Sequence, residues 1–90
     1  MYELEPRYDT RQSFYKKAMV NDVYGDESVL ALYSYGTLVA QITKNKNKTK
    51  YHYFGKYSQT TTRHQKEFFK QAGLSDKEIK TLFKNGIMEV

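Results

Sequence analysis

The 90-residue sequence has no cysteine, no tryptophan and a single proline, Pro6. Without thiols there is no disulfide, no thiolate nucleophile and no cysteine-ligated zinc or iron–sulfur centre. Apolar residues make up only 39%, and no run of them approaches the roughly 20 needed to cross a bilayer. The opening residues, MYELEPRYD, are acidic where a secretory signal is basic and then apolar, so the cytoplasm is the expected setting and no membrane role is expected. Nucleophile elbow, P-loop and dinucleotide fingerprints are also missing. His52 and His64 are the only imidazoles. His64 and Glu67 lie one helical turn apart, but no third ligand follows at a sensible spacing, so neither a metal nor a cofactor is expected. The carboxylates form no acid–base pair, and the expectation is a protein without enzymatic activity.

Aromatic residues are what the chain has in abundance: nine Tyr and five Phe. At this length one domain, residues 1–90, is expected, because about 100 residues suffice for a single core. Residues 1–12 have no usable period and contain Pro6, and read as an extended arm or edge segment. Ser13–Val20 is ambiguous between helix and strand, with strand preferred because the run continues through Val23 into a turn at Tyr24-Gly25-Asp26. Ser28–Tyr35 and Thr37–Thr43 form a hairpin about Gly36, which supplies the positive φ of a tight turn. Lys44–Lys50 (KNKNKTK) reads as a polar loop, and Tyr51–Tyr57 as the following strand.

Two helices end the chain. The first is predicted over about Thr61 to Ala72, with Thr62 and Gln65 at capping-box spacing and His64, Phe68, Phe69 and Ala72 inward. Gly73 and Leu74 have the character of a left-handed cap with its apolar contact. Ser75-Asp76-Lys77-Glu78 opens a second helix that buries Ile79, Leu82 and Phe83 and stops at Asn85-Gly86. The expected fold is therefore α+β: a three- or four-stranded antiparallel sheet in a β-rich part, 13–57, with a helical hairpin, 58–90, packed on one face.

Charge is unevenly spread over a net +5. Residues 44–70 hold Lys44, Lys46, Lys48, Lys50, Lys56, Arg63, Lys66 and Lys70 against Glu67 alone, whereas residues 1–43 are net acidic. Such a field attracts polyanions. Along an extended strand, Lys48, Lys50, His52, Phe54 and Lys56 point one way and Tyr51, Tyr53 and Tyr57 the other. Lysines beside rings are the elements of a single-strand binding surface, although lysines also keep sheet edges unpaired. Thr60, Thr61 and Arg63 at a helix start could seat a phosphate, or serve only as caps. Gln65–Leu82 has helix-turn-helix spacing, but Phe69 stands where that motif wants a small residue.

Three motifs carry a resemblance: Ser13-Phe14-Tyr15; Ser34, Tyr35, Thr37, Val39 and Ala40; and Ser58, Thr60, Thr61, Arg63, His64, Glu67 and Phe68. Over roughly residues 8–73 the chain resembles short uncharacterised proteins of phages, plasmids and integrated elements of Gram-positive bacteria. That resemblance implies an accessory protein in a bacterial host cell and no particular chemistry. The function expected is engagement of DNA or RNA by Lys44, Lys46, Lys48, Lys50, Lys56, Thr60, Thr61, Arg63, Lys66 and Lys70. The alternative is a small inhibitor of a host protein such as a defence nuclease, with exposed tyrosines as anchors. A homodimer joined through strand edges is a third arrangement.

Overall fold

In the structure, a computed structural model, residues 1–25 and 27–90 are described. Six strands and two helices follow in the order β1 (Tyr2–Glu3), β2 (Ala18–Val23), β3 (Ser28–Ser34), β4 (Thr37–Asn45), β5 (Lys48–Tyr53), α1 (Gln59–Gln71), α2 (Asp76–Asn85) and β6 (Ile87–Glu89). The strands form one sheet in sequence order, every neighbour antiparallel. The α+β class stands, but the sheet has six strands instead of three or four, and the helices precede its last strand.

The two additional strands are short edges that alternation cannot reveal. β1 has two residues and β6 three. Backbone pairing defines them: the Leu4 N–H donates to the Ala18 carbonyl at 2.9 Å, and Thr49 and Val90 exchange bonds at 3.0 and 2.9 Å. The strand expected over Ser13–Val20 begins only at Ala18. Before it, Tyr15 and Lys16 take φ of 53° and 61°, a tight turn built without glycine. The turn expected at residues 24–26 ends on Asp26, outside the described residues. The lysine loop is also shorter than expected, since β4 runs to Asn45 and β5 starts at Lys48.

The turn and cap readings hold better. Tyr35 and Gly36, with φ of 51° and 80°, close the β3–β4 hairpin, and successive positive φ values match the strand twist. α1 begins two residues early because Ser58 is its cap, accepting from the Thr61 N–H at 3.1 Å; the Thr62–Gln65 capping box is not formed. Its end is as expected: Gly73 has φ 101°, and the Leu74 N–H bonds the Phe69 carbonyl at 3.1 Å. Ala72 lies outside the core. Ser75 and Glu78 make both bonds of a capping box, and Gly86 stops α2 in the left-handed region.

Cross-strand partners share a sheet face. Val20, Leu32, Ala40, Ile42 and Tyr51 lie on the covered one, against Phe68, Phe69, Leu74, Ile79 and Leu82. A bulge between Leu32 and Tyr33 adds Val39 to this core. Phe69 is central: fully buried, it meets Tyr51 and Phe83 edge-on, each at 6.3 Å between centroids. Phe69→Ala should cost about 3–5 kcal/mol, much of the stability of a small domain, and urea denaturation measures it.

Candidate functional site

α1 buries polar side chains along its inner face. Thr61, His64, Gln65 and Glu67 are all at most 3% exposed, ahead of the apolar pair Phe68 and Phe69. Each has a partner in another element. The Ser34 hydroxyl lies 2.8 Å from Thr61 Oγ1 and 2.8 Å from His64 Nδ1, tying the end of β3 to the helix start. Gln65 Nε2 donates to the Val39 and Gly55 carbonyls, both at 3.0 Å, bridging the bulge to the loop after β5. Glu67 Oε1 accepts from the Tyr8 and Asp9 N–H groups at 2.9 Å, and its Oε2 from Gln71 Nε2 at 2.6 Å. Gln71 Nε2 also donates to the Glu5 carbonyl at 2.7 Å. The N-terminal arm is thereby clamped to α1.

The three resemblance motifs meet at His64. Its ring packs on Phe14 at 4.6 Å and on Tyr35 at 5.9 Å, with the Ser34 hydroxyl at Nδ1 and Thr61 Oγ1 on that same hydroxyl. Ser34 is 2% exposed and His64 1%, so this Ser–His contact lies inside the fold, where it joins β3 to α1. Glu67 faces the arm while His64 faces the hairpin. Among the described residues no group of three or more His, Cys, Asp or Glu side chains could hold a metal ion.

The expected cations do not share one patch. Arg63, Lys66 and Lys70, at i, i+3 and i+7, line a cleft of about 300 Å³ with Gln59, Thr62, Tyr8, Asp9 and Glu67. Lys66 and Lys70 also border a groove of about 360 Å³ that brings in Lys80 and Phe83 from α2. Thr61 is spent on Ser34 inside the core, and Thr60 is half-buried. Arg63 Nη1 donates to Asp9 Oδ1 at 3.1 Å, and Lys70 Nζ lies 3.0 Å from Asp76. The hairpin lysines are elsewhere. α1 starts beside the β3–β4 turn, whereas Lys46 is in the turn at the far end of β4, roughly 30 Å of extended chain away. Lys48 and Lys50 lie on the uncovered face, 3.8 and 3.7 Å from Glu89 of β6. Lys44 is on the covered side, in a cleft with Asp22 and Tyr24. Lys56 is exposed in the loop between β5 and α1.

Sequence reasoning missed a second basic zone. Lys16 and Lys17 line a cleft on the uncovered face with Met19, Tyr33, Tyr35 and Gly36. These lysines belong to the net acidic part of the chain; their signal was local, two cations directly after Phe14-Tyr15. The helix stripe, by contrast, was readable from the three- and four-residue spacing of Gln59, Thr62, Arg63, Lys66 and Lys70.

Two outcomes follow from the buried polar contacts. Burial lowers the pKa of His64 below its ordinary 6.5, with the Asp9 charge opposing. The unfolded chain therefore takes up this proton first, so the associated stability is present above about pH 6.5 and is lost as pH falls toward the depressed folded value. Thermal melts from about pH 8 to about pH 5 should show this loss, and His64→Asn should show less of it. Glu67→Ala strands two N–H groups of the arm and should cost about 2–3 kcal/mol, with faster amide exchange at Tyr8 and Asp9.

A family model described as a family of unknown function, DUF8033, matches residues 2–85. The matched span includes both helices, whereas the motif resemblance covers roughly residues 8–73. No curated protein and no solved structure matches the chain. No helix is long and apolar enough to cross a membrane among the described residues.

Proposed function

The chain belongs to this family of unknown function; from the geometry of α1 we propose that it is a nonenzymatic nucleic-acid-binding protein whose phosphate contacts come from the outer face of that helix. The observation behind this reading is the convergence of Arg63, Lys66 and Lys70 on one cleft, with Lys80 alongside. Gln59 and Thr62 add uncharged donors at the same cleft. A phosphate strand laid along the helix meets cations at each successive turn. The existing ion pairs do not preclude it. Asp76 is 85% exposed, and surface pairs of that kind are worth about 0–1 kcal/mol, so a phosphate can displace it from Lys70. Both bonds to Asp9 use Arg63 Nη1, which orients the guanidinium with its other donors uncommitted to that carboxylate. The setting proposed with this function is the cytoplasm of a bacterial host, as an accessory of a phage or mobile element; it rests on the motif resemblance.

Fluorescence anisotropy with labelled oligonucleotides tests the proposal. Affinity should fall linearly on a log–log plot against salt, and each phosphate contact removed by Lys66→Glu or Lys70→Glu should flatten the slope by about 0.7–0.9. A flat salt response overturns it. Retention of a host protein after nuclease treatment of a pull-down, with no oligonucleotide binding, would favour the inhibitor reading instead.

A further inference from the structure

The uncovered sheet face has a corner that the proposed phosphate stripe does not use. There the turn Tyr15–Lys16 meets the turn Tyr35–Gly36, and among the described residues the three non-glycine residues with positive φ are all in these turns: Tyr15 at 53°, Lys16 at 61° and Tyr35 at 51°. Such conformations cost on the order of 1–3 kcal/mol each and persist only where surrounding bonds impose them. Those bonds are present. The Tyr15 N–H donates to Ser13 Oγ at 2.9 Å, Lys16 N–H to Glu3 Oε2 at 3.0 Å, Lys17 N–H to the Phe14 carbonyl at 2.9 Å, and Tyr35 N–H to the Lys17 carbonyl at 2.8 Å. Glycine would relax any of the three positions. The chain instead places Tyr, Lys and Tyr there and holds them outward: Tyr15 is 74% exposed and Tyr35 58%.

The corner borders an open cleft of about 660 Å³ lined by Lys16, Lys17, Met19, Tyr33, Tyr35 and their neighbours; among the described residues no acidic side chain lines it, and the nearby Glu3 carboxylate is held on the Lys16 N–H. Lys17 Nζ is 6.0 Å from the centre of the Tyr35 ring, and that ring is steadied by its stack on His64. A held Tyr35 ring, Tyr33 in the same lining and two lysines without an ion pair among the described residues complement a ligand that is flat and apolar in one part and anionic in the next. An unstacked nucleobase with its phosphate has that character. A duplex keeps its bases stacked inward and offers the corner only phosphate.

We infer that this corner is a seat for single-stranded nucleic acid, with a base against the Tyr33 and Tyr35 rings and its phosphate at Lys16 and Lys17. The inference rests on the nucleic-acid reading above and specifies the strand state that it favours. The test is a titration of the ¹⁵N-labelled full chain with a short oligothymidylate and, in parallel, with a duplex. Amide shifts for the single strand should include residues 15–19 and 33–36. Tyr35→Ala should weaken single-strand affinity by roughly tenfold and leave duplex affinity nearly unchanged, as loss of one base–ring stack implies. Because Tyr35 also packs on His64, the exposed pair Lys16→Glu and Lys17→Glu is measured beside it; it should weaken both nucleic acids through lost phosphate contacts, and the single strand more than the duplex. Shifts confined to residues 59–70, with both variants binding the single strand normally, would overturn the corner and leave the helix stripe standing. Absence of shifts with either nucleic acid would remove the broader reading, and the corner with it.

Discussion

The hydrogen bonds that α1 makes inward set the arrangement of the other parts. A helix usually presents an apolar stripe to its sheet, but here the first turns present Thr61, His64, Gln65 and Glu67, each buried. A satisfied buried bond contributes only about 1 kcal/mol net, while an orphaned partner costs about 1–3 kcal/mol. Rotating or sliding α1 by one residue would orphan several partners together: the Ser34 hydroxyl, the Gly55 carbonyl, and the Tyr8 and Asp9 N–H groups. The helix is thus fixed in register more tightly than packing of Phe68 and Phe69 alone would impose. With the inner face fixed, Arg63, Lys66 and Lys70 have only the outer face left.

The same geometry explains why a concentrated run of positive charge does not become a concentrated field. In the β4–β5 hairpin, alternation and register send Lys44 to the covered side and Lys48 and Lys50 to the other. The chain then returns as β6 and delivers Glu89 beside both of those lysines. α1 sets off from the opposite end of the sheet. Neighbours in sequence are therefore separated by a strand length or a sheet thickness, and the excess cations that do gather belong to one helix surface.

Legibility followed the range of the interaction that decided each element. Gly73, the Ser75–Glu78 box and Gly86 act within a few residues, and the three helix termini that depend on them could be read directly. β1 and β6 exist because β2 and β5 offer free edges, a circumstance set by the whole sheet, and two or three residues hold no period of their own. The Ser13–Lys17 turn was hidden for a related reason: its positive φ values fall on Tyr and Lys, and the bonds that impose them come from Ser13, Glu3 and Phe14. At the candidate site, the helical spacing of Arg63, Lys66 and Lys70 was visible. The burial of Thr61 was not, because hydroxyls at a helix start look alike until Ser34 arrives from another strand to claim one.

The helix stripe and the tyrosine–lysine corner are joined mechanically although they face different ways. Arg63 and His64 are consecutive, so one turn of α1 points a cation outward and an imidazole inward. That imidazole touches Phe14, next to the Tyr15–Lys16 turn, and Tyr35, the first residue of the other turn. Ser34, the residue before Tyr35, bonds Nδ1 of the same ring through its hydroxyl. A displacement of α1 that moved its cations would strain both turns through a sealed, polar contact with little room to yield. On the proposed reading, a single strand that passes around the Tyr35–Gly36 end would meet phosphate donors on one side and rings on the other, in a relative position fixed by His64. On that reading the buried histidine holds the two surfaces in register.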